Sequence, residues 1–338
     1  MPTTVRMAAL WAGVLLAAAG STVALLAVRP AGANGEPPRV VVISPGGGAR
    51  QIAGALAEGG VIRSRWAFLA LAALRGDLRL LKPGEYEFTM PATLPEVEAK
   101  VAEGRTVVHL VTFPEGFAVR EVAARLGAEG LADPDRLEAL PRDASVARRL
   151  GLDVPSLEGY LFPDTYRLNR GMTEEEILRL MVGRFREVFG PAEEERAQAL
   201  GLDRHAIVTL ASIIEKEARV EEERPLISAV FHNRLRRNMP LQADPSILYS
   251  FPEKRGRLTR ADLRQPDPYN TYMNPGLPPG PIANPGRASM RAALEPAPAG
   301  YLYFVARKDG THAFSRTLAE HERAVRRFQG SRREGGSG

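Results

Sequence analysis

Residues 7–28 carry no charged side chain, and Arg6 and Arg29 bracket them. A helix over these 22 residues would be about 33 Å long, enough to cross a bilayer core of about 30 Å. No other feature constrains the chain as much, because lipid admits only a helix here and leaves the rest to fold outside it. A cleaved signal peptide would use the small residues Ala31-Gly32-Ala33, but its apolar region normally runs about 7–15 residues. The run is therefore read as an uncleaved anchor. Arg6 is matched by Arg29 and Arg39, so charge does not set its orientation. Six residues leave little room for a domain ahead of it, which places the folded mass C-terminal. If that mass is extracytoplasmic, the N-terminus is inside.

The 338 residues, 44% of them apolar, are enough for about two domains. The net charge is +5, yet only five of 45 basic residues are lysines (Lys82, Lys100, Lys216, Lys254 and Lys308). Basic and aromatic residues do not interleave, so no nucleic-acid partner is expected. The C-terminal Arg323, Arg326, Arg327, Arg332 and Arg333 read as a solvated helix end and tail, or as a stripe for anionic lipid or wall carboxylates. Without cysteine, disulfides, thiolate catalysis, zinc fingers and iron–sulfur ligation are excluded. The histidines at 109, 205, 232, 312 and 321 lack metal-ligand spacing, so no metal or cofactor is expected.

A linker rich in Pro, Gly and Ala covers residues 29–38. A β-like run at 40–43, helical patterns at 51–58 and 64–74 and an alternating segment at 85–89 give the order β-α-α-β. That layout is similar to a LysM module over residues 39–105. Residues 107–113 and 119–126 echo the first strand and helix, and a connector continues to 156, with residues 133–150 helical.

The chemistry concentrates after Leu157. Glu158-Gly159-Tyr160-Leu161-Phe162-Pro163-Asp164-Thr165-Tyr166 is a shaped loop or short strand with three aromatics, of the kind that recognises sugars. A scaffold helix is expected from Thr173 to Phe189, stopped by Gly190-Pro191. In the helix from His205 to Val220, Ile207, Leu210, Ala211, Ile214 and Ala218 form one apolar face. Glu215 and Glu217 flank that face in the last turn and a half. Both border buried surface, where desolvation raises a carboxyl group towards the range of a general acid. Spacing alone does not choose between them, and Arg219 and Arg224 are ready partners for either.

A second helix carries Phe231-His232-Asn233-Arg234-Leu235. Residues 239–246 read as extended, with Gln242, Asp244 and Ser246 pointing to one side. Tyr269-Asn270-Thr271-Tyr272 precedes a Pro/Gly-dense run at 276–286, read as a rigid loop. A hairpin (301–306 and 312–315, turning at Asp309-Gly310) and a helix from Thr317 to Phe328 close the fold.

These strings, with Ala211-Ser212-Ile213-Ile214-Glu215-Lys216-Glu217, Tyr303-Phe304-Val305 and Gly310-Thr311-His312, resemble the YceG-like (MltG) endolytic murein transglycosylases in order and spacing over residues 157–328. The resemblance implies an α+β protein: cytoplasmic residues 1–6, a transmembrane helix at 7–28, the linker, the LysM-like module at 39–105, a second β-α unit and connector at 106–156, a catalytic domain at 157–329 and a disordered tail at 330–338. It implies a single-pass protein of the cell membrane with its catalytic domain extracytoplasmic. Its substrate would be nascent peptidoglycan strands, its partners would include peptidoglycan synthases, and it would terminate chain growth. The resemblance assigns Glu215 the acid/base role and leaves Glu217 supporting. A lytic transglycosylase can work with one carboxyl group, since the muramyl C6 hydroxyl replaces water and leaves a 1,6-anhydro end. Expected to hold sugar groups are Glu158, Tyr160, Tyr166, Glu217, Asn233, Gln242, Asp244, Ser246, Tyr269, Asn270, Thr271 and Tyr272. Two rivals remain: a water-using muramidase with Asp244 or Asp164 as second carboxylate, and a membrane-anchored glycan-binding scaffold.

Overall fold

A computed structural model describes residues 18–22, 25, 29–254 and 258–329. The expected anchor at 7–28 and tail at 330–338 lie largely and wholly outside the described residues, respectively. No helix among the described residues is long and apolar enough to cross a membrane. The fold is α+β, with helices and small two-stranded sheets. The chain divides into two compact units.

The first unit comprises Met1–Val111, Gly130–Ala132 and Tyr166–Thr173. Strands β1 (Arg39–Ile43) and β2 (Gly84–Phe88) pair antiparallel, with Val41 opposite Tyr86. Helices α1 (Ala49–Glu58) and α2 (Arg65–Arg75) lie between them in sequence. Helix α2 starts where Ser64 Oγ accepts from Ala67 N and stops at the left-handed Gly76. Helix α3 (Leu94–Glu103) follows, its Glu96 carboxylate accepting from Thr93 N–H. Ile43, Ile52, Leu56, Phe68, Tyr86, Val97 and Val101 form the core. Each such side chain contributes about 1.5–3 kcal/mol by leaving water. Strand β3 (His109–Thr112) pairs with β4 (Thr165–Leu168).

The second unit comprises Thr112–Glu129, Asp133–Thr165 and Glu174–Gly338. It contains α4 (Val119–Ala128), the short α5 (Pro134–Ala139) and α6 (Ala144–Arg149), then α7 (Glu174–Val188) and α8 (Pro191–Ala199). Next come α9 (Arg204–Glu217), α10 (Arg224–Arg236), α11 (Asp244–Ser250) and α12 (Arg287–Leu294). The antiparallel hairpin β5 (Tyr303–Ala306) and β6 (His312–Ser315) leads to α13 (Leu318–Gln329).

Helix α9 departs from the expected one-faced amphipathic helix. Every residue from Ile207 to Ile214 is buried, including Thr209 and Ser212. The two hydroxyls are satisfied inside: Thr209 Oγ1 donates to His205 O (2.7 Å) and Ser212 Oγ to Thr209 O (2.7 Å). A helix enclosed on all sides is the centre of its unit. It also ends early, at Glu217, because Ala218 turns extended.

The run at 276–286 is ordered and largely buried from Gly280 to Gly286. Ile282 N donates to Ser212 Oγ (3.0 Å). Asn284 Nδ2 donates to Phe117 O (2.8 Å), and its Oδ1 accepts from Leu161 N (2.9 Å). Beneath the loop, Gly159 has φ +87°, and a Cβ there would stand 2.5 Å from Pro281. Only glycine suits that position. The expected extended segment at 239–246 is corrected: Asp244 begins α11, with Pro245 in its first turn. Gln242 and Asp244 are therefore exposed, while Ser246 is turned inward.

Candidate active site

The end of α9 presents two carboxyl groups to different surroundings. Glu215 Oε2 accepts from Gly286 N (3.0 Å), and Oε1 faces Arg224 Nη2 at 3.5 Å. Gly286 is the N-cap of α12, so Glu215 meets a guanidinium and a helix N-terminus, both of which attract negative charge. Its side chain is 7% exposed. Nearby, burial first and then the charge of Glu215 push up the carboxyl group of Glu115. Glu115 and Arg224 line a cavity of about 540 Å³ with Glu221, Arg287 and Arg291.

Glu217 opens into another cavity, of about 320 Å³. Gln242, Asp244, Tyr272, Arg234, His312 and His321 share its wall. Burial pushes the Glu217 carboxyl up to about 7, and the neighbouring Asp244 adds to the rise against the opposing pull of Arg219. A carboxylic acid so placed holds its proton near neutrality, as proton donation requires.

The cavity wall is fixed from behind. Arg234, 7% exposed, donates through Nε to Leu302 O (2.7 Å) and through Nη1 to Leu241 O (2.8 Å) and Gln242 Oε1 (3.2 Å). Arg234 thereby orients the Gln242 amide, leaving its NH₂ as the end able to donate to a ligand. Gln242 sits at φ 52°, a left-handed conformation unusual for a side chain of its size. Tyr272 OH donates to Asp244 Oδ1 (2.7 Å). Sequence reasoning passed over Arg234; its place between Asn233 and Leu235 on a helix gave no hint of burial.

Ser246, Asn270 and Thr271 bind one another's backbone neighbours. Ser246 Oγ and Thr271 Oγ1 are 3.0 Å apart, and Thr271 Oγ1 accepts from Ala243 N (2.9 Å). Asn270 Nδ2 donates to Gln265 O (2.8 Å), and its Oδ1 accepts from Tyr272 N (3.0 Å). These bonds set Gln242, Asp244 and Tyr272 around the cavity. Asn233 Nδ2 donates to Ala299 O and Tyr301 O, both at 2.8 Å. Tyr160 is fully buried, its OH 2.9 Å from His205 Nδ1, and His205 Nε2 meets Pro279 O (2.9 Å).

Glu158 and Tyr269 line a separate cavity of about 330 Å³ with Arg120, Arg142, Ser156 and Tyr249. Burial pushes Glu158 up to about 7, although Val119 N–H and Tyr249 OH bind its carboxylate. Tyr166 is buried in β4 and belongs to the first unit. Asp164 pairs with Arg184 (2.7 Å), and the Thr165 N–H, then Arg184, hold it below the usual carboxylate range. Among the described residues no cluster of His, Asp or Glu could hold a metal ion.

Comparison with known proteins gives a consistent picture. The chain is 33% identical over 308 residues to an endolytic murein transglycosylase of Bacillus subtilis, covering 86% of this chain and 85% of the relative. It is 28% identical over 334 residues to an endolytic murein transglycosylase of Streptococcus pneumoniae, spanning 88% of this chain but 59% of that longer relative. A crystal structure of a YceG-like protein from Listeria monocytogenes matches with a TM-score of 0.57 and 34% identity, over 86% of this chain and 99% of that one. The profile of the YceG-like family matches residues 41–327, and the chain belongs to that family.

Proposed function

We propose that this chain is an endolytic peptidoglycan lytic transglycosylase and that Glu217 is its proton donor. Relatives of that name at 33% and 28% identity support the activity and the substrate. The observation that carries the donor assignment is the Glu217 carboxyl, pushed up to about 7 at a cavity it shares with Gln242, Asp244 and Tyr272. Glu215, which the sequence resemblance favoured, instead faces Arg224 and Gly286 N and takes a positioning role between α9 and α12. Protonated Glu217 donates to the oxygen linking N-acetylmuramic acid to N-acetylglucosamine. The muramyl C6 hydroxyl, relieved of its proton by a base of the site, closes on C1 and leaves a 1,6-anhydro end. Gln242, Asp244 and Tyr272 hold sugar hydroxyl and N-acetyl groups.

The test compares Glu217→Gln with Glu215→Gln on purified glycan strands, with products read by mass spectrometry. Loss of cleavage in Glu217→Gln and retention in Glu215→Gln is expected. The reverse pattern returns the role to Glu215, and unchanged cleavage in both removes it from α9. Asp244 shares the cavity with Glu217, which gives the muramidase reading its one specific support. Hydrolysed ends are heavier by one water than anhydro ends, so the same spectra decide between the two.

The finer organisation is part of the same proposal. Residues 7–28 are a membrane anchor, the part beyond them is extracytoplasmic, and residues 39–105 are a LysM-like glycan-binding module. Its β-α-α-β order, with β1 and β2 antiparallel, supports that reading. An enzyme anchored at the membrane meets strands as they are made, so termination of chain growth beside peptidoglycan synthases follows.

A further inference from the structure

His312 sits at the start of β6 with its side chain 6% exposed, and it lines the same cavity as Glu217. Both oxygens of Glu223 grip it. Oε1 accepts from the His312 backbone N–H (2.9 Å), and Oε2 lies 2.7 Å from Nδ1. Glu223 closes the turn that leads into α10 and is itself 12% exposed. The edge of the imidazole meets Phe304 at right angles (5.3 Å, 87°), which fixes the ring plane. With Nδ1–H donated to a carboxylate, Nε2 carries the lone pair and is the ring nitrogen left to meet a ligand. A carboxylate–histidine pair so arranged sets the tautomer and stabilises the imidazolium once a proton arrives.

We propose that His312, oriented by Glu223, is the base that takes the proton of the muramyl C6 hydroxyl, while Glu217 is the acid. The proposal rests on the transglycosylase reading above and divides between two groups the work of one carboxyl. The C6–O–H proton passes to Nε2, the C6 oxygen bonds to C1, the C1–O bond to the leaving sugar breaks, and that oxygen takes the Glu217 proton. The site is left with an ionised Glu217 and an imidazolium neutralised by Glu223. When the product leaves, solvent carries the proton from His312 back to Glu217, so no water is consumed. A cavity that keeps one proton donor and one proton acceptor ready together is suited to a concerted closure.

The experiment uses the full-length chain with uncrosslinked glycan strands and records kcat and KM from about pH 4 to 9. The charged and titratable groups facing His312 are Glu223 from the turn before α10, Arg234 on α10, Glu217 on α9, Asp244 on α11, Tyr272 in the following loop and His321 on α13. His312→Gln is expected to lower kcat about 100-fold with KM unchanged. The acid limb of the pH–rate profile should disappear, leaving the alkaline limb set by Glu217. Carbocation left without an activated C6 hydroxyl is captured by water, so the fraction of hydrolysed ends should rise. Glu223→Gln removes the charge and offers one acceptor oxygen where the carboxylate offered two, to the His312 backbone N–H and to Nδ1–H. Glu223 is a positioning residue, so this variant should lose kcat with KM unchanged while its circular dichroism at the assay temperature matches wild type, and it decides the matter if His312→Gln fails to fold. His321→Gln should keep the acid limb. Wild-type kcat and acid limb in both His312→Gln and Glu223→Gln, with Glu217→Gln inactive, overturn the proposal and leave the transglycosylase reading standing. An active Glu217→Gln removes that reading instead.

Discussion

At the residue scale, the proposed proton donor Glu217 should link pH to both rate and stability. Its carboxyl is raised to about 7 when folded, against an ordinary value of 4.5. The folded state therefore binds this proton more tightly than the unfolded chain does. The resulting stability is complete below about pH 4.5 and is lost as pH rises to about 7. Glu217→Gln removes that loss. The variant should be more stable than wild type at pH 8 by order of 1–3 kcal/mol, and the difference should vanish at pH 4. Thermal melts at the two values check this, and because Glu158 titrates in both proteins its own rise cancels. Cleavage by the wild type should fall as pH rises through about 7, since the donor then loses its proton. Glu215→Gln should behave differently. Its amide oxygen still accepts from Gly286 N, but Arg224 loses its counter-charge, so about 1–3 kcal/mol of stability should go while the pH–rate profile stays.

At the element scale, α9 is held by the loop that covers it, and Asn284 is the pin. Asn284→Ala leaves Leu161 N–H and Phe117 O without their side-chain partners. A loss of about 2–4 kcal/mol is expected, read as a lower denaturant midpoint with an unchanged slope. Most elements were legible. The helical pattern at 64–74 gave α2, and short β-like runs beside turn residues gave β1, β2 and the closing hairpin. Two helix starts with proline in the first turn were not. Pro191 read as the stop of α7, yet it is the first residue of α8; Pro245 likewise sits in the first turn of α11, behind Asp244. A ring that cannot continue a helix is well suited to start one, and local sequence does not say which it does. Helix α12 was hidden because the Pro/Gly run before it gave no boundary.

At the scale of the whole molecule, the proposed anchor and the folded units are expected to make separable contributions. Deleting residues 1–28 should leave cleavage of soluble strands intact and abolish sedimentation with lipid vesicles, whereas the full chain should sediment. Retained sedimentation would move the membrane contact to the basic C-terminal helix. By itself the sequence determined the α+β class and the family, because periodicity, caps and motif order are local properties. Only the tertiary structure separated Glu215 from Glu217. Two carboxyl groups on one helical turn have nearly the same sequence environment, but one meets Arg224 and the end of α12 while the other meets a cavity walled by Asp244 and Tyr272. Proton affinity follows from charge and desolvation supplied by residues far away in the chain, and those arrive only when it folds.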